Sequence, residues 1–268
     1  MHPIERLRYL ARSSGHDQRV LVGETASALR AMRMDPAGLV VSCRRIVERH
    51  PTSGPLWWLC AHVLTAPDPS QAARDLPHHL EMDPTPDLLA EALPEDATVL
   101  VIGWPDLAGE ACLGRGDLTV LTVDADGEGH SFVRRLERSD VVAEIVEPAG
   151  LSAAVLAADV VLVEAVAAST GEILATRGSR AAASVAYCSE VPLWAVVGRG
   201  RCLPDAAFTN LVERVGAVRV PWDAEADVVP LGLVSHVAGE RGVLPVESAG
   251  LAPECPLAHE LLRSRPGT

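Results

Sequence analysis

The chain has 268 residues, enough for one large core or two modest ones, with 48% hydrophobic and 22% charged residues, the balance of an ordinary globular protein. A net charge of −13 and a pI near 5.1 disfavour binding to nucleic acid or to an anionic membrane surface. All 23 basic residues are arginine, so a Schiff-base lysine, a Walker lysine and a lysine general base are all excluded.

The six cysteines, Cys43, Cys60, Cys112, Cys188, Cys202 and Cys255, are scattered, with no CxxC pair and no zinc spacing. They read as the reduced thiols of a cytoplasmic protein, with no metal expected. MHPIERLRYLARSSG lacks the apolar centre of a signal peptide, and no run of about 18 apolar residues occurs anywhere. Secretion and membrane spanning are not expected.

In chain order, residues 1–94 read as a helical N-terminal domain. Ile4, Leu7 and Leu10 share one face of a first helix, and a second covers about 18–32. A third runs over 35–48, with Asp35 as N-cap before Pro36, and stops at Pro51. Gly54-Pro55 opens a fourth, carrying Leu56, Trp57, Leu59, Val63 and Leu64. Pro67 and Pro69 mark a break, and 78–97 is rich in Pro, Asp and Glu. His78 and His79 are adjacent, so they point to different sides of any regular element and read as surface histidines.

From residue 95 to 250 the pattern changes to apolar runs without polar alternation at 98–103, 118–123, 141–146, 159–164 and 192–197. Helical stretches separate them at 130–138, 151–157 and 179–189. Such runs are strands of a parallel sheet buried on both faces, so the second domain is α/β and Rossmann-like. Further on, 231–239 reads as a short helix before a turn at Gly242. Residues 251–268 form a loosely held tail with one short helix over 257–262.

Three chemistries suggest themselves at the carboxyl edge of that sheet. A dinucleotide or adenosylmethionine site would use Gly103 after the first strand and Asp124 after the second. Trp104, Pro105 and Asp106 fill the turn where GxGxxG would stand, so no cofactor is expected. Catalysis would draw on Asp106, Asp124, Asp126, Glu164 or Cys202, the last flanked by Arg199 and Arg201, which would favour a thiolate. No GxSxG elbow or HExxH helix is present. An anion pocket would combine Arg177, Gly178 and Ser179 at a helix start with Arg199 and Arg201 after the adjacent strand.

Four of these stretches, in order, resemble one family: the alpha, beta and delta subunits of translation initiation factor two-B with methylthioribose-1-phosphate isomerase and ribose-1,5-bisphosphate isomerase. RRIVERHPTSGPLWWL is similar to its R-P-T helix, and DVVLVEAVAASTGEILATRGS to its V-L-V-G-A-D strand and following N-K-I-G-T. VPLWAVVGRGRCLP is similar to the next strand and the loop ending in lysine. VPLGLVSHVAGERGVL is similar to the closing P-x-E-L-I and T-E-x-G motif. The resemblance implies a helical N-terminal domain, a Rossmann-like domain, and a homodimer or larger assembly.

The departures bear on activity. The family's isomerases carry a cysteine at the end of the first strand and an aspartate after the G-A of the later one, and Gly103 and Val166 match those positions. His50 replaces the arginine before P-T, and Ala175-Thr176 replaces N-K. Glycine and valine cannot move a proton between oxygen and carbon. Gly178, Ser179, a basic residue at Arg201 and the 240–242 turn are retained. The expectation is therefore a non-isomerase relative, a regulatory or ligand-binding protein recognising a phosphorylated sugar or nucleotide. The alternatives are a divergent isomerase or other enzyme using different acid/base groups, and a structural subunit of a larger assembly.

Overall fold

The computed structural model describes residues 17–31, 36–125 and 127–262. The helix expected around Ile4, Leu7 and Leu10, the Asp35 cap and Asp126 lie outside them.

Among the described residues, five helices come first: α1 (Gln18–Ala31), α2 (Pro36–Arg49), α3 (Gly54–Thr65), α4 (Pro69–Glu81) and α5 (Thr85–Ala92). Helix α3 is central. Ser53 caps it by accepting from the Leu56 N–H, Pro55 sits in its first turn, and Leu56, Trp57, Trp58, Leu59 and Cys60 are all buried. Helices α4 and α5 stand where the proline-rich stretch reads as a break. Pro69 and Pro86 lie in the first turns, where a missing N–H costs nothing, while Pro77 sits inside α4. Asp68 caps α4 by accepting from Ser70 and Gln71 N–H, each at 3.0 Å.

The strands and helices that follow are β1 (Thr98–Ile102), α6 (Leu107–Leu113), β2 (Thr119–Val123), α7 (Gly129–Glu137), β3 (Val142–Val146), α8 (Leu151–Ala157), β4 (Val160–Ala168), β5 (Glu172–Thr176), α9 (Ser179–Cys188), β6 (Leu193–Val196), α10 (Asp205–Val215), β7 (Ala226–Pro230), β8 (His236–Gly239), β9 (Gly242–Pro245) and α11 (Val246–Ala249). The sheet order is β3-β2-β1-β4-β6-β8-β9, and β3 through β8 pair in parallel. The chain leaves β1 toward β2 and β3, then returns to start β4 on β1's other side. That reversal opens a crevice at the carboxyl ends of β1 and β4. The expected fold class, helices followed by a Rossmann-like parallel sheet, is the observed one.

Several details depart from expectation. The strand expected to stop at Glu164 continues to Ala168, with a register shift between Ala165 and Ala167, and hairpins onto β5, which in turn pairs with β7. Helices α6 and α10 are additional. Where a helix was expected over 231–239 there is one 3-10 turn, Leu231–Leu233, and then β8, which pairs in parallel with β6 and turns at Gly242 into antiparallel β9. Val237 and Ala238 are buried there as strand residues. The tail is not loose as far as residue 262: Cys255, Ala258 and Leu261 are buried against the N-terminal helices.

Hydrophobic burial is continuous between the two halves. Leu203, Phe208 and Leu211 join the cluster built by α1 to α4, while Leu89 and Leu93 join the one built on Val99, Val101 and Phe132. No helix among the described residues is long and apolar enough to cross a membrane.

Candidate functional site at the strand-order reversal

The crevice between β1 and β4 is a small polar cleft. Gly103 turns the chain out of β1 in the left-handed region, at φ +66°, and its N–H donates to Val123 O at 2.8 Å. Trp104 and Pro105 carry the chain to Asp106, which starts α6. On the other side, β4 presents Glu164 and, past the register shift, Val166.

The N-terminal half closes the top. Ser53 donates to Gln18 Oε1 at 2.5 Å, joining α1 to the start of α3, and both Gln18 and Thr52 line the cleft. Gly54 is held so tightly against β4 that a Cβ there would lie 2.5 Å from the Val166 carbonyl oxygen. Only glycine allows α3 to begin at this point.

Arg201 fills the centre. The chain after β6 folds back over the end of β4, where the Ala168 N–H donates to Arg201 O at 2.7 Å. Its side chain is 5% exposed. Its guanidinium lies 2.8 Å from Glu164 Oε1 and 3.8 Å from Asp106 Oδ2, and donates to the Ala165 carbonyl. Glu164 also accepts from the Ala108 N–H at 2.9 Å, and Asp106 from the Gln18 N–H at 3.3 Å. Two carboxylates thus share one cation. Burial, then repulsion from Glu164, pushes the Asp106 carboxyl up to about 6, although Arg201 pulls the other way. The open space is about 70 Å³, well below the roughly 300–1,000 Å³ of cavities that enclose small molecules.

The remaining predicted residues are placed as follows. Gly178 starts α9 at φ +94°, but its N–H and that of Arg180 donate to Asp227 Oδ2 at 2.9 and 3.1 Å, so the helix start is held by an internal carboxylate. Ser179 is buried and lines the cleft. Arg177, whose N–H donates to Glu225 O, is not among the lining residues. Arg199 points to the far side, 2.9 Å from Glu240 Oε1 and bonded to His79 O and Met82 O. Asp124 closes its own turn by accepting from Gly127 and Gly129 N–H. Cys202 is buried, and burial pushes its thiol up to about 12, so the flanking arginines do not produce the thiolate that the sequence suggested. His78 and His79 are exposed on α4.

Asp106, Glu164 and Arg201 therefore meet, while Arg177 and Arg199 stay outside. Gln18, Thr52, Trp104 and Thr176 also line the cleft, and none of them stands among the site residues expected from the sequence. Thr52 had a signal, since it belongs to the P-T of the helix segment quoted above.

A parallel sheet with this strand order, a helical cap and a polar cleft at the order reversal defines a Rossmann-type α/β protein. Among solved structures, it matches those of eIF2B subunits. The Pyrococcus horikoshii translation initiation factor eIF-2B superposes with TM-score 0.78 at 14% identity, over 93% of this chain and 98% of that one. The tetrameric eIF2B-beta2-delta2 complex from C. thermophilum gives 0.71 at 16% identity, over 92% of each chain. The eIF-2B delta subunit from A. fulgidus gives 0.63 at 13%, over 91% of this chain and 88% of that one. No protein-family model matches the sequence, and no curated protein does. The fold that the sequence resemblance implied is the fold observed.

Proposed function

We propose that this chain is a divergent, non-isomerase relative of the translation initiation factor two-B group, acting by binding and assembly and not by sugar-phosphate isomerisation. The observation that carries this reading is the Arg201–Glu164 ion pair at the centre of the cleft. The sequence resemblance, which sets Gly103 and Val166 against the isomerases' cysteine and aspartate, points the same way. A phosphate dianion would meet an arginine already neutralised by two carboxylates and a helix start already taken by Asp227, which counts against the phosphorylated ligand that the sequence suggested. Assembly is supported by the tetramer formed by the C. thermophilum relatives and by the sheet-edge strand β3, where Val142 is 58% exposed. Six free cysteines, five of them buried, support a reducing, cytoplasmic setting.

The test is to incubate purified protein with methylthioribose-1-phosphate and with ribose-1,5-bisphosphate and follow both by phosphorus NMR, with light scattering for mass. The expected result is no conversion and a mass of at least two chains. Conversion that disappears in Asp106→Asn or Glu164→Gln would overturn the reading.

One observation favours a second reading. A carboxyl pushed up to about 6 beside a second carboxylate suits proton transfer near neutral pH, provided a substrate displaces Arg201. Under that reading, a kcat/KM profile, which reports the free protein, would inflect near pH 6 and lose its inflection in Asp106→Asn.

A further inference from the structure

On the other side of the 104–106 turn lies a second, larger cavity of about 450 Å³, separate from the cleft except for the shared wall of Trp104, Pro105 and Asp106. Its size falls within the range of cavities that enclose small molecules. Trp104 and Phe132 form an aromatic wall, their rings 5.8 Å apart and tilted by 43°. Gly109 lets that wall form, because a Cβ there would lie 2.9 Å from the Phe132 ring.

Asp17, Glu81 and Glu110 line the space against two guanidiniums, Arg19 and Arg135, a formal excess of one negative charge, and Asp106, shared with Arg201 in the cleft, stands in the common wall. Arg19 pairs with Glu110. Arg135 is exposed and stands 6.0 Å from the centre of the Trp104 ring, so the aromatic wall already receives a cation from outside the core.

We propose that this cavity is a binding site for a small organic cation, an ammonium group carried on an apolar body. Trp104, backed by the buried Phe132, would take the apolar part, and its ring face would attract the charge. Asp17, whose Oδ1 also accepts from the Arg19 and Val20 N–H groups, and Glu81, whose Oε2 lies 3.3 Å from His78 Nδ1, would accept charge-assisted hydrogen bonds from the ammonium at Oδ2 and Oε1. An anion of the same shape would be repelled by the excess negative charge. The specificity is thus for charge sign on a common apolar frame, the property that separates this site from a nonspecific apolar hollow.

The experiment is calorimetric titration of the full chain with phenethylamine, and with 3-phenylpropionate as the anionic counterpart. Phenethylamine should bind in the millimolar range or tighter and 3-phenylpropionate at least tenfold more weakly. Trp104→Leu should weaken phenethylamine at least tenfold, while Trp104→Phe, which keeps a ring and guards against misfolding as the cause, should lose no more than about threefold. Asp17→Asn with Glu81→Gln, both substitutions at the exposed rim, should remove the preference for the cation. No heat from phenethylamine with folded wild-type protein, equal binding of the two probes, or unchanged binding in folded Trp104→Leu would each overturn the assignment. Since no step involves the Arg201–Glu164 pair, its failure leaves the non-isomerase reading standing, and the reverse also holds.

Discussion

Arg201 is a buried cation whose worth lies in what it neutralises. With both Glu164 and Asp106 beside it, removing the guanidinium leaves two carboxylates in a water-poor cleft, a loss of roughly 3–5 kcal/mol. Arg201→Ala should therefore lower the urea midpoint sharply at pH 7.5, and adding Glu164→Gln should recover part of it. Equal midpoints for the single and double variants would mean that the pair is not coupled. Asp106 gives the pH signature. Its carboxyl rises from 3.8 to about 6, so the folded state prefers the protonated form. That preference stabilises fully below pH 3.8 and is lost as pH rises through 6. Over about two units it amounts to roughly 3 kcal/mol at most. Asparagine mimics the protonated acid, so Asp106→Asn should stabilise the protein at pH 7.5 and change little at pH 4. A variant equally destabilised at both values would contradict this account.

Among elements, β4 organises the molecule, pairing with β1 and β6 in its first half and with β5 in its second. Its apolar run was legible in the sequence because a strand buried on both faces needs no polar alternation. The extension past Glu164 was not, since three of the four residues from Ala165 to Ala168 are alanine, which is depleted in strands, and the pairing with β5 sets it. The β8–β9 hairpin was hidden for a related reason. Leu231, Val234, Val237 and Ala238 fall at helical spacing, and the Glu240-Arg241 loop lacks the Asn-Gly signal that usually marks such a turn. At the site, Asp106, Glu164 and Arg201 were each legible singly. Their union was not, because a sequence shows arginines but not the carboxylates that claim them: Glu164 for Arg201 and Glu240 for Arg199. The start of helix α3 is legible because Gly54-Pro55 is a local start signal, and the same glycine makes a sharp element-level prediction. Gly54→Ala would drive a methyl into the Val166 carbonyl and should cost about 1–3 kcal/mol. The check is a lower urea midpoint with an unchanged slope, and an unaltered midpoint would show that α3 can step back from β4 freely.

On the scale of the whole molecule, the contacts that tie the two halves include α3 against β4 and the C-terminal tail. The tail crosses the carboxyl edge of the sheet, where the Glu254 N–H donates to Cys202 O at 2.9 Å and the Glu254 carboxyl accepts from the Gly200 N–H. It then delivers Cys255, Ala258 and Leu261 to the helical core, and Arg214 on α10 holds the Leu261 carbonyl at 2.6 Å. Burial, followed by repulsion from Glu240 and Asp83, pushes the Glu254 carboxyl from 4.5 up to about 7. The sign follows as for any acid raised on folding: the tail's attachment is strongest below pH 4.5 and weakens as pH rises through 7. Exchange protection of amides in residues 250–262, corrected for the intrinsic pH dependence of exchange, should therefore fall between pH 6 and pH 8. Glu254→Gln, neutral throughout and still able to accept from Gly200, should keep that protection constant. Because the tail contacts both layers, its loosening should also lower the global urea midpoint of the wild type over the same interval, and that of the variant far less. Parallel behaviour of the two proteins would place the pH sensitivity elsewhere, with Asp106 the first group to examine.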